Sequence, residues 1–347
     1  MKVNISVFGR FHAFDLAKQL NRFGVLNKLI TTYPKFKANE WGIESKKVIS
    51  EFQLEILNRI NQKLNIKSDR LTNYLKSLHA KNSSKYLDNC DIFIGWSGSS
   101  LEMLTLAKEK DIITILERGS SHYSHQQNIL KDEYEKFGLK FNSNLQNWER
   151  ELIEYELADY ISIPSTFVKK TFIDQGISED KLIVNPYGVD LENFKQVPKK
   201  DSLFRIIYAG QGSLQKGYHY LLQAFHELDL KNSELWHLGN ITNEIKPFLE
   251  KYKNPKWIFK GNIKQNELYK FYSQGSIFIL PSIQDGFGMV ILQAMSCGLP
   301  VILSQNTAGN DIIENNKKTR DGFVVPIRDV SSIKQKILFL YNNQKKA

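Results

Sequence analysis

Short apolar runs rich in β-branched residues alternate with helix-length stretches along the chain, and this alternation most constrains the fold. The runs of the first half are VNISVF, NKLITT, DIFIGW, IITILE, YISIPS and KLIVNP. After a segment rich in proline and lysine come FRIIYAG, ELWHLG, WIFKGN, SIFILP, LPVILS and FVVPI. Strands that alternate with helices form parallel sheets covered by helices. The pattern predicts an α/β protein with two Rossmann-like domains joined near residues 186–200.

The length of 347 residues also favours two domains, because single hydrophobic cores stop growing at about 250–300 residues. We assign residues 1–190 to an N-terminal acceptor-side domain and residues 191–347 to a C-terminal donor-binding domain. The last helix could pack back on the N-terminal domain.

Cysteine usage and hydropathy exclude several classes of protein. Cys90 and Cys297 are the only cysteines, which argues against a disulfide framework or a four-ligand metal site. The apolar run at the N-terminus is shorter than a signal sequence, and no segment reaches roughly 18 consecutive apolar residues. We therefore expect a cytoplasmic protein that does not cross a membrane.

The net charge of +10 is concentrated in the second half of the chain. Residues 197–347 contain 20 Lys/Arg against 12 Asp/Glu, whereas residues 1–196 contain 27 against 25. A basic half suits an anionic ligand such as a nucleotide diphosphate, a phospholipid surface or a nucleic acid. A lysine-rich solvated surface is the alternative.

Candidate binding residues are those that follow the apolar runs, because ligands of parallel sheets bind at the carboxyl ends of the strands. Four such loops stand out in the two halves, and two domains that face each other would direct all four into one cleft. Their polar and glycine residues are Gly9, Arg10 and His12; Arg118, Gly119, Ser120, Ser121 and His122; Gln211, Gly212 and Lys216; and Ser282, Asp285, Gly286 and Gly288.

The loop AGQGSLQKG, residues 209–217, lies between a strand and a helix and is rich in glycine. Its backbone N–H groups, the helix N-terminus and Lys216 could hold a phosphate. The loop does not fit the dinucleotide fingerprint G-x-G-x-x-G, because residue 215 is glutamine, and it is not a Walker loop. A plain turn with a solvent-exposed lysine is the alternative.

The stretch DGFGMVILQAMSCGLPVI, residues 285–302, has a similar local design. Gly286 and Gly288 would let the backbone approach a ligand, and the following helix offers unpaired N–H groups to an anion. Asp285 suits a sugar hydroxyl better than a phosphate, although it could instead cap the helix. Gln293 and Ser296 form a polar strip on an otherwise apolar helix, which either satisfies an internal group or lines a cleft.

Two histidine-containing segments of the first half follow strands. ERGSSHYSHQQ contains His122 and His125, and a histidine there could bond a substrate hydroxyl or transfer a proton. GRFHAFD places Arg10 and His12 in the equivalent loop of the first unit. A structural role is the alternative for each histidine.

Residues 48–66 form a third segment of interest, because they place Ile49, Phe52, Ile56 and Ile60 on one face of a predicted helix. Such a helix either faces the core or lies on an anionic membrane surface.

Taken together, these segments resemble the retaining glycosyltransferases of family 4, which have the GT-B architecture of two Rossmann-like domains facing across a cleft. Residues 158–194 look like the interdomain segment of that family, YAGQGSLQKGYHYLLQAF like its phosphate loop, and residues 259–302 like its donor motif. The N-terminal half matches less densely, through GRFHAFDLAKQL and ERGSSH.

The resemblance implies roles for the matching positions. Asp285 and Gln293 replace the two glutamates of the donor motif, which contact the transferred sugar and the ribose. Lys216 neutralises the leaving diphosphate, the backbone amides of Gly288, Met289 and Val290 cradle it, and His122 lies near the reacting carbon. His122, Lys216 and Asp285 are thus the implied catalytic residues. The implied donor-binding positions also include Gly9, Arg10, Arg118, Gly210, Gln211, Gly212, Gly239, Ile263, Gly286 and Phe287.

This sequence departs from the family pattern at three of these positions. Asp285 keeps the charge on a shorter side chain, Gln293 keeps hydrogen bonding without the charge, and Gln211 replaces an arginine. The change at Gln293 is mild, because an amide can both donate to and accept from ribose hydroxyls. Arg10 or Arg118 could replace the cation that is lost at position 211.

The implied reaction is transfer of a sugar from a UDP-, GDP- or dTDP-linked donor to a saccharide or lipid-linked hydroxyl, without a metal or another cofactor. Polysaccharide, lipopolysaccharide or glycolipid assembly is the implied setting, with room for peripheral contact with an anionic inner membrane and no nucleic-acid partner. A nucleotide-sugar-binding protein without transferase activity is the main alternative. A nicotinamide-dependent oxidoreductase is disfavoured by the incomplete glycine fingerprint.

Overall fold

The computed structural model describes residues 1–63, 68–313 and 321–343. The chain divides into two compact units. The first consists of Met1–Arg118, Asn142–Ile163 and Ile177–Ile183, and the second of Gly119–Phe141, Pro164–Gly176 and Val184–Ala347. Residues 119–141 and 164–176 therefore group with the second unit although they precede residue 190. The assignment of acceptor and donor roles to the two domains stays a prediction.

Strands and helices alternate throughout the part of the chain that the structure describes. The strands are β1 Val3–Val7, β2 Leu26–Thr31, β3 Val48–Ser50, β4 Ile92–Trp96, β5 Ile113–Glu117, β6 Tyr160–Ile163, β7 Leu182–Val184, β8 Phe204–Ala209, β9 Ser233–Leu238, β10 Trp257–Gly261, β11 Ile277–Leu280, β12 Val301–Ser304 and β13 Gly322–Val325. The helices are α1 Ala13–Arg22, α2 Lys35–Asn39, α3 Phe52–Lys63, α4 Asp69–Ser84, α5 Leu101–Glu109, α6 Tyr123–Lys136, α7 Leu145–Leu157, α8 Thr166–Ile173, α9 Tyr218–Leu228, α10 Lys246–Lys251, α11 Leu268–Tyr272, α12 Met289–Ser296, α13 Gly309–Ile312 and α14 Val330–Asn342.

Each apolar run singled out in the sequence contains a strand. Among the described residues, seven strands form one sheet in the order β3-β2-β1-β4-β5-β6-β7, and six form another in the order β10-β9-β8-β11-β12-β13. Neighbours from β3 to β6, and all neighbours in the second sheet, are parallel. The predicted α/β class with two parallel sheets is confirmed.

The core of the second unit lies on both faces of its sheet. Ile206, Ile207 and Phe278 are fully buried in the central strands. On the helical layers, α14 packs against α9 and against β12 and β13 of the same unit. This burial fixes the central strands, and with them the loops at their carboxyl ends.

Strand order reverses direction once in each sheet, and this positions the candidate loops. In the second sheet β8, β9 and β10 follow one another outward on one side, whereas β11, β12 and β13 do so on the other. The reversal lies between β8 and β11, so the loops after these two strands are neighbours at the carboxyl edge, where ligands of such sheets bind. In the first sheet the reversal lies between β1 and β4.

The structure corrects the interpretation of residues 48–66. Val48–Ser50 is strand β3, helix α3 begins at Phe52, and residues 64–66 lie outside the described residues. Of the two alternatives for this helix, the core-facing one is wrong, because Phe52, Ile56 and Ile60 are exposed. Leu54, Glu55, Asn58 and Asn61 form the buried side instead. Across the described ranges, no helix is both long enough and apolar enough to span a bilayer.

Candidate functional site

The loops that follow β8 and β11 are joined at the point where the second sheet reverses. Gly217 begins α9 with a φ of +63°, and a Cβ there would lie 2.0 Å from the carbonyl oxygen of Pro281. The backbone N–H of Ile283 donates a hydrogen bond to the carbonyl of Gln215 at 2.9 Å. Only glycine permits this approach at position 217, so the two loops form one surface.

Lys216 and Asp285 meet on this surface. The Nζ atom of Lys216 lies 2.5 Å from Oδ2 of Asp285, and both side chains are partly buried. The N-cap position of α12 is Gly288, with a φ of +81° and no side-chain cap. Asp285 therefore does not cap that helix in this structure, and its carboxylate instead pairs with the lysine of the neighbouring loop.

Hydrogen bonds from the loop after β12 hold Asp285 in place. The Asp285 N–H donates to the carbonyl of Asn306 at 2.9 Å, and Nδ2 of Asn306 donates to the carbonyl of Ile283 at 2.9 Å. Ser304 Oγ donates to the carbonyl of Ser282 at 2.5 Å. The buried residues Ser304 and Asn306 thus fix the backbone around Asp285, and this preorganises its carboxylate.

A cavity of about 290 Å³ opens beside these loops at the carboxyl edge of the second sheet. This volume lies near the lower end of the range for small-molecule pockets, about 300–1,000 Å³. Its walls come from the ends of β8, β9 and β10 together with α11 and α12. They are formed by Ala209, Gly210, Gln211, Leu238, Gly239, Asn240, Asn262, Ile263, Leu268 and Val290.

Five of the residues predicted to bind the donor line this cavity, namely Gly210, Gln211, Gly239, Ile263 and Val290. Sequence reasoning missed Asn240 and Asn262. Each directly follows the strand-end glycine of its run, so the rule that ligands bind after strand ends could have found both. Nothing in the sequence signals Leu268, which the fold brings in from a helix.

His237 packs beneath the loop that follows β8, residues 210–217. Its side chain is fully buried, and a Cβ on Gly212 would lie 2.6 Å from its Cε1 atom. Burial lowers the pKa of the His237 imidazole to about 4, so the ring is neutral at pH 7. The Tyr208 hydroxyl donates to the carbonyl of Gln211 at 2.7 Å, which fixes the other side of the loop.

His122 belongs to the same unit as Lys216 and Asp285. It precedes α6, and its Nδ1 accepts a hydrogen bond from the Ser124 N–H at 3.2 Å, so the proton of the neutral ring resides on Nε2. The preceding residues contact the loop that carries Asp285, because Ser120 Oγ bonds Oε1 of Gln284 at 3.1 Å. A Cβ on Gly286 would lie 2.0 Å from the carbonyl oxygen of Gly119.

Of the two residues of the polar strip of α12, Gln293 is turned into the protein and Ser296 is half-buried. Gln293 is buried, and its Oε1 accepts a hydrogen bond from the Tyr272 hydroxyl at 3.4 Å. Ser296 donates to the carbonyl of Leu292 at 2.7 Å. Of the residues at the start of the helix, Phe287 is buried against the Tyr187 ring, whereas Met289 is exposed. The role of Gln293 in ribose binding stays a prediction.

The remaining predicted site residues, Gly9, Arg10 and Arg118, lie in the first unit. Gly9 has a φ of +107°, and the guanidinium of Arg10 lies 5.5 Å from the centre of the Trp41 ring. Arg118 is nearly buried and forms an ion pair of 2.8 Å with Glu151 of α7. In the loop after β1, Nε2 of His12 lies 3.2 Å from Oε2 of Glu117.

A second loop that presents backbone N–H groups, which sequence analysis did not single out, follows β4 in the first unit. Its sequence SGSS leads into α5, and the N–H groups of Ser100 and Leu101 donate to Oε1 of the buried Glu154 at 2.8 and 2.9 Å. The Gly98 N–H donates to the other carboxylate oxygen. A carboxylate of the chain itself therefore sits where such a loop would hold an anion.

In the described part of the chain, no three His, Cys, Asp or Glu side chains are grouped so that they could hold a metal ion. Metal independence itself stays a prediction.

Part of the chain matches a known protein family. Residues 189–347 match the family of group 1 glycosyl transferases. The matched segment contains β8 to β13, and so it contains the cavity, Lys216 and Asp285. The predicted relationship to glycosyltransferases is supported at this level.

Curated proteins with related sequences match about half of the chain. The chain is 27% identical over 205 residues to the capsular polysaccharide biosynthesis glycosyltransferase CapM of Staphylococcus aureus, covering 54% of this chain and 53% of that protein. It is 23% identical over 186 residues to the alpha-galactosylglucosyldiacylglycerol synthase of Streptococcus pneumoniae, covering 48% and 50%. The chain spans about half the length of the curated relatives that it matches.

The fold as a whole resembles that of solved glycosyltransferase structures. Anabaena Alr3699/HepE in complex with UDP superposes with a TM-score of 0.69 at 14% identity, covering 100% of this chain and 91% of that chain. This likeness and the two parallel sheets confirm the predicted GT-B fold with two Rossmann-like domains.

Proposed function

We propose that the protein transfers a glycosyl group from a nucleoside diphosphate sugar to a hydroxyl group of an acceptor, with retention at the anomeric carbon, as an enzyme of glycosyltransferase family 4. The observation that carries the proposal is the cavity of about 290 Å³ whose lining loop also bears Lys216. The UDP complex of the structural relative supports a nucleotide ligand. UDP-, GDP- and dTDP-linked sugars are the donors to test.

The residues of the second unit suit the parts of such a donor. The cavity between Gly210, Asn240 and Ile263 would take the base and ribose, and Lys216 would meet the diphosphate. The free N–H groups at the start of α12, at Met289 and Val290, would add positive potential there. Asp285, held close to Lys216, would accept hydrogen bonds from hydroxyls of the transferred sugar.

The reaction then needs stabilisation of one leaving group. The bond from the anomeric carbon to the diphosphate oxygen breaks, and the acceptor oxygen bonds to that carbon on the same face. The acceptor proton passes to the departing diphosphate oxygen. Lys216 and the helix start of α12 stabilise the developing negative charge without a metal ion. Such a transition state needs positive groups near the departing diphosphate rather than an enzyme nucleophile.

Supporting arguments for the acceptor come from the relatives. CapM acts in capsular polysaccharide biosynthesis, and the streptococcal synthase is named for a glycolipid. We therefore propose a saccharide or lipid-linked acceptor in the assembly of a cell-surface polysaccharide, lipopolysaccharide or glycolipid. The setting would be the cytoplasm, with peripheral contact with an anionic membrane.

The test combines binding and turnover. A thermal-shift series with UDP-, GDP- and dTDP-sugars selects the donor, since a ligand that binds the folded state raises its apparent stability. Release of the nucleoside diphosphate is then measured for wild-type protein and for Lys216→Ala. Turnover should fall at least about 100-fold, because removal of one group that stabilises the transition-state charge costs this much.

Lys334→Ala is the matched control, because Lys334 also pairs with a carboxylate of the second unit, Glu227, at 2.7 Å. Its turnover should equal that of the wild type. Unchanged turnover in Lys216→Ala would remove the phosphate role of this lysine. Donor binding with neither hydrolysis nor transfer would instead support a nucleotide-sugar-binding protein without transferase activity. Activity that disappears with EDTA would contradict metal independence.

A further inference from the structure

Helix α3 of the first unit buries a mostly polar side and exposes an apolar side, the reverse of an ordinary surface helix. Its buried side contains Glu55, Asn58 and Asn61, with Leu54 as the single apolar member. Its apolar residues Phe52, Ile56, Leu57 and Ile60 are 42, 44, 48 and 48% exposed. A surface helix of a globular protein ordinarily places its apolar stripe against the core.

Hydrogen bonds fix this inverted orientation. Oε2 of Glu55 accepts from the Thr32 hydroxyl at 2.9 Å. Nδ2 of Asn61 donates to the Ser68 carbonyl at 3.0 Å and contacts the Thr72 hydroxyl at 3.1 Å, while Oδ1 of Asn61 accepts from the Ser68 N–H at 3.1 Å. Rotation of α3 about its axis would break these bonds and leave buried polar groups without partners. The apolar side is therefore held outward.

Positive charges share the outward side. At about 100° per residue, Phe52, Ile56, Arg59, Ile60 and Lys63 all fall within an arc of about 100°. We call these five residues the outward face of α3. Lys63 is exposed, whereas Nε of the exposed Arg59 already pairs with Oε1 of Glu55 at 2.7 Å, so Lys63 is the cation of this face that carries the argument. The neighbouring helix α4 also has exposed side chains, namely Arg70, Leu71 and Tyr74.

The size of this face favours a lipid surface over a protein. A helix of 12 residues is about 18 Å long and about 10 Å wide, so its face presents roughly 200 Å². A stable protein interface needs about 800 Å² on each partner. A bilayer has no such threshold, because a few apolar side chains enter the headgroup region while adjacent Lys and Arg bind anionic headgroups.

We propose that the outward face of α3 docks the protein on an anionic phospholipid bilayer. Phe52, Ile56 and Ile60 enter the boundary between headgroups and acyl chains, and Lys63 pairs with lipid phosphates. The proposal rests on the peripheral membrane contact of the proposed function and identifies the surface that makes it. Its test requires no turnover, so it can fail while the glycosyltransferase proposal stands.

The experiment is co-sedimentation of the full chain with vesicles of phosphatidylcholine alone and with vesicles rich in phosphatidylglycerol. Wild-type protein should bind the anionic vesicles and be released at 1 M salt, because the Debye length falls to about 3 Å there. The double variant Ile56→Ser with Ile60→Ser should bind at least about tenfold more weakly, because two apolar side chains are no longer removed from water on binding. Lys63→Gln should weaken binding about fivefold.

The matched control is Ile173→Ser with Ile183→Ser, because these isoleucines are 42 and 41% exposed and lie outside α3. This variant should bind vesicles like the wild type. Thermal denaturation and nucleoside diphosphate release in lipid-free buffer should be unchanged in every variant, which separates docking from folding and turnover.

Two results would overturn the proposal. One is equal vesicle binding by the wild type and the Ile56→Ser, Ile60→Ser variant. The other is a wild-type dimer in gel filtration that does not bind vesicles and that this variant converts to monomer, since a second copy of the chain would then cover α3.

Discussion

Asp285 and the diphosphate should compete for Lys216, and the Asp285→Asn variant tests this competition. In the structure Nζ of Lys216 lies 2.5 Å from Oδ2 of Asp285, with side-chain exposures of 25 and 16%. A free nucleoside diphosphate must draw the lysine away from this carboxylate. A sugar-linked donor loses less, because its hydroxyls can give Asp285 new hydrogen bonds in exchange.

The magnitude follows from the strength of the pair. A hydrogen bond between charged, partly buried groups contributes about 1.5–3 kcal/mol. Exposure to solvent screens this pair, which favours the lower part of the range. If Asn replaces Asp285, the lysine no longer has a competing anion, and the affinity for the nucleoside diphosphate should rise about tenfold. Turnover should nevertheless fall by about 100-fold, because the group that meets the sugar has changed.

Isothermal titration of the nucleoside diphosphate selected by the donor screen measures the first effect, and steady-state release assays measure the second. Asp285→Glu keeps the charge and should not tighten product binding. Glu227→Gln, which removes the carboxylate paired with Lys334, is the control for a general gain of positive charge. An affinity in Asp285→Asn that is unchanged or weaker than that of the wild type would refute the competition.

Three further predictions concern the walls of the site. Gln211→Arg places a cation at the exposed cavity wall, and we expect about three- to tenfold tighter diphosphate binding that weakens with salt, measured by titration at two ionic strengths. Gly212→Ala puts a Cβ 2.6 Å from the buried His237 ring, so donor affinity should fall at least about tenfold and stability by about 1–3 kcal/mol, whereas Gly188→Ala, where a Cβ meets open space, should change neither. The pKa of His237 is lowered to about 4, so the unfolded chain binds an extra proton between that pH and about 6.5; stability should drop by up to about 3 kcal/mol as pH falls through this window in urea titrations. A slope unaltered by His237→Asn, compared with the exposed His226→Asn, would show that another group is responsible.

The strands could be predicted from the sequence because burial on both faces of a parallel sheet leaves a continuous apolar signal. Runs such as FRIIYA and IFIL carry that signal within four to six residues. Strand β3 was missed because Val48–Ser50 is short and directly precedes a helix with similar apolar residues. Helical spacing of Ile56 and Ile60 was correctly recognised, but spacing alone does not state which face turns inward.

The candidate site shows the same limit. Lys216 and Asp285 could be singled out because each follows a strand end beside glycines, and the fold then brought them within hydrogen-bonding distance. Their direct pairing could not be read from residues 69 positions apart. Burial of Gln293 against Tyr272, and the ion pair between Arg118 and Glu151, depend on side chains from other helices, for which the local sequence holds no signal.

The loop after β4 has backbone N–H groups that could hold an anion, but the Glu154 side chain already accepts their hydrogen bonds. Amides of Ser100 and Leu101 already bind the carboxylate of Glu154, so a phosphate would have to expel a buried group covalently tethered to α7. Such an internal competitor is present at a fixed, high effective concentration and does not diffuse away. Glu154 thus occupies the N–H groups of this loop and would disfavour binding of a phosphate there.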